Sequence, residues 1–415
     1  MKYDCIIVGG GPAGLAAALK VEEKNLKVLL VEREDKAGGI LKQCIHDGFG
    51  LVRFKEKLTG PEYAWRFLDE VKKTTVEVLT FAFVSSIKKT EDGFMVKIVD
   101  CQGVHEAFSS NVILATGCRE RTRNQLLIPG SRSAGIYTAG LAQHLVNCLG
   151  ISPTRKAVIL GSGDIGLIMA RRLTLEGAEV LGVYEIKSTP SGLTRNIRQC
   201  LTDFNIPLYL SRTVSNIYGR DRVEAVGISS VDENLKIIPG SEELIECDAL
   251  ILAVGLIPEN ELAESLGVII DSKTKGPLVD QNLMSSIPGI YAVGNCLHVN
   301  DLVDYVSESA EIAAQALRMD YPERKLNKVE ISPEILYLVP QFLDLNSNLD
   351  NLKFYFRSKE TINHCRLILS IDGVDCWEKR YERLLPPEME RLNLSFSEYQ
   401  ITENSKINFR IEVNK

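Results

Sequence analysis

One arrangement occurs twice in this chain and restricts its fold more than any other feature. Residues 3–8, YDCIIV, form an apolar run of the length expected for a buried parallel strand, and they end at glycine. Gly9, Gly11 and Gly14 follow in G-x-G-x-x-G spacing. LAAALKVEEKN then predicts a helix, and KVLLVE predicts a second strand closing on Glu32. Each part has a physical reason. The first glycine permits a tight turn, the second lets the backbone approach a pyrophosphate, and the third lets helix pack closely on strand. The diphosphate then meets the helix N-terminus, where N–H groups and the macrodipole favour negative charge. An acid about 20 residues further on accepts hydrogen bonds from ribose hydroxyls.

The same order returns in KAVILGSGDIGLIMARRLTLEGAEVLGVYE, with Gly161, Gly163, Gly166 and the terminal Glu185. Two such units imply two dinucleotides, and the natural pairing is a tightly held FAD with an exchangeable nicotinamide coenzyme. An acid ending the second unit favours the free 2′-hydroxyl of NAD and repels the 2′-phosphate of NADP. No arginine stands at 186–188, although Lys187 is close, so NAD(H) is the expected coenzyme. NVILATGCRE (111–120) and DALILAVGLIPEN (248–260) both run from an apolar strand into a small-residue turn. IPGIYAVGNCLH (287–298) has the same texture and delivers Gly294 and Asn295 to a predicted helix in DLVDYVSESAEIAAQALRM.

A chain of 415 residues is long for one core, and two or three domains are expected. Hydrophobic residues make up 45% and charged residues 25%, the balance of an ordinary globular protein. The net charge of −7 provides no basic field for nucleic acid or anionic lipid. Arg119, Arg121 and Arg123 read first as a solvated loop face and only second as a phosphate contact. No apolar run reaches the roughly 18 residues of a membrane span, and the glycine turn at the N-terminus argues against a cleaved leader. Ten cysteines without a C-x-x-C pair argue against a disulfide framework or a metal centre and suit reduced thiols in a cytoplasm.

These residues resemble the two-dinucleotide-binding flavoprotein superfamily of glutathione reductase and thioredoxin reductase, over roughly residues 1–325. The resemblance implies an α/β protein with two Rossmann-like dinucleotide-binding domains. The first, 1–122, would bind FAD, 123–256 would form an inserted NAD(H) domain, and 257–330 would complete the FAD domain. It places Gly9, Gly11, Pro12, Ala13, Gly14, Glu32, Arg33, Gly39, Ala115, Thr116, Gly117, Gly294 and Asn295 at FAD. Gly161, Gly163, Asp164, Ile165, Gly166, Glu185 and Gly255 are placed at NAD. Asn295 stands where the superfamily has an aspartate, which keeps a hydrogen-bonding group and removes its charge. GGILKQCIHDGFG, ATGCRERTR, GIYTAGLAQHL and SGLTRNIRQCL are similar to one branch. That branch holds the FAD/NAD-binding alpha subunits of opine, sarcosine and proline dehydrogenases or oxidases and of hydrogen cyanide synthase, with stand-alone bacterial relatives. The larger alpha subunits often carry a cysteine-rich iron–sulfur segment, which this chain lacks.

Residues 331–415 differ again. LKFYFRS, CRLILSIDG, CWEKRYERL, RLNLSF and INFRIEVN predict a small antiparallel sandwich, either a docking or dimerisation module or a stabilising appendage.

A dithiol relay needs two thiols. At the glutathione-reductase-like position only Cys44 is present, and at the thioredoxin-reductase-like position GIYTAGLAQHLVNCLG has no C-x-x-C. Cys44 packs near the flavin or cycles alone through sulfenate or a mixed disulfide. His46 is either a proton shuttle or a structural histidine, and Lys42 either neutralises reduced flavin or is a surface lysine. Acids at 301 and 304 complement a helix dipole after His298. The expectation is therefore an FAD-dependent NAD(H) oxidoreductase without a redox disulfide, acting in electron transfer within a larger complex. Its partner would be a flavoprotein oxidising an amino acid derivative or glycerol 3-phosphate. The rivals are a single-cysteine NADH-dependent peroxide or small-disulfide reductase and a non-catalytic dinucleotide-carrying docking subunit. Oligomeric state stays open, a homo-oligomer included.

Overall fold

The computed structural model describes residues 1–413, so the last two residues of the expected C-terminal segment lie outside the described residues. The chain divides into two compact units, Met1–Cys118 with the segment from Pro258 onward, and Arg119–Ile257.

The first unit is built on a mixed sheet whose strands run, in spatial order, Glu77–Leu79, Val28–Val31, Lys2–Val8 and Gly103–Leu114. The last of these is shared. Its second half pairs in parallel with Lys2–Val8 on one side and with Ile290–Ala292 on the other. Its first half continues into an antiparallel hairpin, Gly93–Asp100 and Phe83–Thr90. Register aligns the carboxyl ends: Val8 lies opposite Val31 and Leu114, and Leu114 lies opposite Ala292. The next residues, Gly9, Glu32, Ala115 and Val293, therefore leave the sheet side by side on one rim, where open parallel sheets bind ligands.

Two helices open onto that rim. Pro12–Glu22 buries Ala13, Ala16, Ala17 and Ala18, small residues that let it lie close to the sheet. Lys24 donates to the carbonyls of Gln315 and Leu317 at 2.8 Å, joining its C-terminal end to that of Val303–Ala316. At the other end a Cβ on Gly294 would stand 3.0 Å from Ala13 Cβ and 3.1 Å from Val306 Cγ1. The two helices thus run parallel, with both N-termini toward the rim.

Residues 326–413 add two further sheets. One has the order Phe342–Asp344, Leu326–Ile331, Ile407–Val413, Ile362–Ile371, Val374–Leu384, and the other Ile335–Val339, Leu352–Ser358, Glu390–Leu394. Pairing is antiparallel except between Leu326–Ile331 and Ile407–Val413. Phe354, Phe356, Phe396 and Phe409 fill a core separate from that beneath the first sheet.

In the second unit Ile136–Thr138, Ala249–Leu252, Lys156–Leu160, Glu179–Glu185 and Leu208–Leu210 form an all-parallel sheet. Both faces are buried, so the central strand reads as a continuous apolar run. Ala157 and Ile159 pack toward the helices, while Val158 and Leu160 pack toward the antiparallel strands Arg212–Tyr218, Ala225–Ser230 and Glu243–Glu246. Among the described residues no helix is long and apolar enough to cross a membrane.

Candidate dinucleotide-binding sites

In the first fingerprint, the protein itself demands two of the three glycines. Gly9 has φ +106°, and a Cβ there would stand 2.4 Å from the Ala115 carbonyl oxygen. A Cβ on Gly14 would stand 1.8 Å from the Gly9 carbonyl oxygen. Gly11 is different. Its φ of −75° suits any residue, and its added Cβ would meet nothing nearer than Gly39 Cα at 3.9 Å. No side chain caps the following helix, Pro12 occupies its first position, and its first turn holds no acid. A bare helix N-terminus beside an unfilled glycine fits the diphosphate of a dinucleotide.

Glu32 lies beside this cradle and is 6% exposed. Its Oε2 accepts from Gly10 N at 2.7 Å and its Oε1 from Glu34 N at 2.9 Å. A carboxylate has about four acceptor sites, so capacity for ribose hydroxyls remains. Ala115 N donates to Val8 O, Thr116 Oγ1 donates to Glu259 O at 2.6 Å, and Glu259 N donates to Gly117 O, which fixes the 115–117 turn. Gly294 N donates to Ser309 Oγ at 2.9 Å. Asn295 turns its amide inward: Oδ1 accepts from Asn300 N at 3.0 Å, and Nδ2 donates to Cys118 Sγ at 3.6 Å. Arg33 is exposed on the loop beyond Glu32.

Around the 294–304 segment several buried polar atoms lack a partner: Asn260 Oδ1, both ring nitrogens of His298, Asn300 Oδ1 and Asp304 Oδ2. Such atoms are costly unless something binds them. His298 is 1% exposed, and its ring neighbours are Tyr337 and Tyr355. Burial, and then the Arg357 charge, push its pKa down to about 3. The expected alignment of His298, Asp301 and Asp304 at a helix start is only partly present. The helix begins at Val303 with Asp304 in its first turn. Asp301 lies ahead of it and binds the Arg357 guanidinium and Met389 N (2.6 Å).

The three candidate catalytic residues lie on or beside the short 3-10 helix Gly39–Gln43. Lys42 Nζ pairs with Glu34 Oε2 at 2.6 Å and donates to Lys36 O, fastening the loop that follows Glu32. Cys44 Sγ donates to Ile40 O at 3.4 Å. His46 Nδ1 lies 3.2 Å from Asp47 O, and its ring leans on Phe49. These contacts supply a structural account of each residue.

The second cradle repeats the first. A Cβ on Gly161 would stand 2.2 Å from Ala253 O, and one on Gly166 2.5 Å from Gly161 O, whereas Gly163 has 3.9 Å of room and φ −65°. Glu185 is 4% exposed. Its Oε2 accepts from Ser162 N (3.0 Å) and Ser162 Oγ (2.5 Å), and its Oε1 accepts from Lys187 N (3.1 Å). Asp164 Oδ1 accepts from Leu193 N and Asn196 Nδ2, so this acid faces the 191–196 segment. Ile165 is exposed in the first helical turn, and Gly255 has open space where a Cβ would stand. Gly10 and Ser162, which the glycine spacing does not mark, occupy the same fingerprint position and grip the terminal acid of their own unit, Glu32 and Glu185. Superposing the two fingerprints in sequence would have singled them out.

The family profile described as pyridine nucleotide-disulphide oxidoreductase matches residues 3–318. An opine oxidase subunit of Agrobacterium tumefaciens (strain Ach5) is 24% identical over 315 residues, covering 71% of this chain and 61% of that protein. An alkyl hydroperoxide reductase subunit of Staphylococcus aureus (strain NCTC 8325 / PS 47) is 25% identical over 324 residues, covering 77% and 59%. The chain thus spans less than two thirds of the length of these curated relatives. The crystal structure of T. acidophilum thioredoxin reductase matches 76% of this chain and 97% of its own, with a TM-score of 0.62 and 24% identity, a likeness of fold.

Proposed function

The chain belongs to the pyridine nucleotide-disulphide oxidoreductase family of flavin-dependent oxidoreductases, and on that premise we propose that it holds FAD in the first cradle and NAD(H) in the second. The bound pair would supply hydride transfer, and the protein serves as the electron-transfer subunit of a substrate dehydrogenase. One observation carries the reading. In both fingerprints the outer glycines are closed against protein atoms, while the middle one, Gly11 or Gly163, faces room that no protein atom fills.

The chain's own residues then have defined tasks. The N-termini of Pro12–Glu22 and Asp164–Leu175 hold diphosphates. Glu32 and Glu185, oriented by Gly10 N and Ser162 N, accept from ribose hydroxyls. The 115–117 turn and Gly294 shape the floor of the first cradle, and the partnerless atoms of Asn260, Asn300 and Asp304 offer acceptors to the cofactor's polar groups. Bound flavin would supply two-electron acceptance and one-electron release, so the second half-reaction need not occur at a thiol. The likeness to the opine oxidase subunit supports a subunit role; the partner we propose is a flavoprotein that oxidises an amino acid derivative or glycerol 3-phosphate.

The test is a purified, yellow protein titrated anaerobically with NADH. Bleaching supports the reading, and colour that persists under NADH leaves only a dinucleotide-carrying docking subunit. Cys44→Ser separates the remaining rival. Retained NADH–dye reductase activity and retained turnover with a captured flavoprotein partner support electron transfer. Loss of a peroxide or disulfide reduction would make the protein a single-cysteine reductase instead.

A further inference from the structure

SGLTRN, residues 191–196, has no part in a fingerprint, yet it is fastened to the second one at three points. Ser191 N donates to Ser162 Oγ at 2.9 Å, Leu193 N to Asp164 Oδ1 at 2.9 Å, and Asn196 Nδ2 to the same oxygen at 2.7 Å. Between these bonds Gly192 packs so closely that a Cβ would stand 2.7 Å from both Ser162 O and Leu167 Cδ1. A serine hydroxyl has one proton to give and lone pairs to receive with. Ser162 gives its proton to Glu185 Oε2 at 2.5 Å. The result is a continuous chain from Ser191 N through Ser162 Oγ to the buried Glu185 carboxylate. The first cradle has no counterpart, since Gly10 has no side chain and reaches Glu32 with its N–H alone.

Resting on the reading of the second cradle as a NAD(H) site, we propose that 191–196 is a coenzyme-selecting strap and that Ser162 is the residue that couples it to Glu185. Three donors hold the Glu185 carboxylate in one place, leaving lone pairs for a ribose hydroxyl, which can donate. A 2′-phosphate brings acceptors and negative charge against a buried carboxylate, which is unfavourable on both counts. Admitting it requires Glu185 to turn out, breaking its bonds to Ser162 and thereby freeing the strap at Ser191. The strap's exposed Arg195 and, just beyond it, Arg198 are cations suited to a phosphate. The latch through Ser162 and Asp164 keeps the backbone that carries them in its present course.

The experiment measures equilibrium dissociation constants of NADH and NADPH on protein whose bound flavin has first been reduced with dithionite, so that no hydride transfer follows binding, with thermal midpoints as a folding control. Ser162→Ala removes the relay, and Gly192→Ala lifts the strap by steric contact while leaving the hydroxyl in place. Both are expected to weaken NADH about tenfold, or about 1.4 kcal/mol, and to leave NADPH unchanged or tighter, so that the preference falls. If the preference of the wild type for NADH survives both substitutions, or both coenzymes weaken in parallel, the strap has no selective role. A wild type that binds neither coenzyme, or prefers NADPH, overturns instead the NAD(H) reading on which the strap rests.

Discussion

Gly11 and Gly39 face each other with no side chain between them: a Cβ on Gly39 would stand 2.9 Å from Gly11 Cα, while one on Gly11 would clear Gly39 Cα by 3.9 Å. The asymmetry separates folding from binding. Gly11→Ala fits the extended backbone and should change stability by no more than about 1 kcal/mol, yet its methyl group occupies the approach to the diphosphate. Gly14→Ala forces a carbon to 1.8 Å from Gly9 O and should cost about 3 kcal/mol. Thermal midpoints of flavin-free protein and flavin-to-protein absorbance ratios decide the matter. A Gly11→Ala variant that keeps full flavin would remove the diphosphate from this turn.

Two buried groups make stability depend on pH in opposite directions. His298 has a folded pKa of about 3, well below its ordinary 6.5, because burial and then Arg357 disfavour the imidazolium. The unfolded chain binds a proton that the native one refuses, so its contribution is full above pH 6.5 and is lost as pH falls toward 3, by about 5 kcal/mol in total. Asp280, with no exposed side-chain surface, is pushed up to about 6 from 3.8 by burial, despite Arg324 at 3.1 Å. Its contribution is full below pH 3.8 and is lost as pH rises through 6. Between pH 4 and 6 the two slopes oppose each other. His298→Phe should therefore expose a stability that rises with acidification in this window, and adding Asp280→Asn should flatten it. Denaturant melts across pH 4–7 read this directly. An unchanged slope in His298→Phe would show that the histidine binds its proton equally in the native and unfolded states, and that burial does not lower its pKa.

Much of this architecture was legible because it is local. Strand, glycine spacing, helix and terminal acid lie within about 30 residues of one another, and the rim alignment of Gly9, Glu32 and Ala115 follows from parallel register. The five strands expected after residue 331 are present as well. Three others, Leu326–Ile331, Ile335–Val339 and Phe342–Asp344, carry no clear strand signal in the sequence. They are short and lie around Pro333 and Pro340, residues that ordinarily argue against strands. The Ser162–Ser191 bond joins residues whose adjacency only the folded turn creates. His298 looked like a residue at a helix entrance, and it is buried because Tyr337 and Tyr355 arrive from the C-terminal sheets. A sequence pattern carries period and spacing, but not which distant side chain closes over a loop.

Those C-terminal sheets also grip the Val303–Ala316 helix, and the grip is measurable. Glu308 accepts from Tyr355 Oη at 2.5 Å and from Arg391 Nε at 2.7 Å, with Arg391 Nη2 on its other oxygen. The Glu308 and Arg391 side chains are about three-quarters buried, so screening is limited and the pair is worth more than a surface one. Against the opposing effect of burial, the Arg391 and Tyr355 side chains hold the Glu308 carboxyl below its usual range. Arg391→Met, which keeps the stem and removes both donors, should cost about 2 kcal/mol, and Tyr355→Phe about 1 kcal/mol. The double variant should cost more than the sum, because each donor satisfies the carboxylate that the other leaves exposed to an apolar surrounding. A double-mutant cycle on thermal or denaturant midpoints tests it. Strict additivity would mean that solvent replaces either donor freely and that the contact is not the brace on this helix.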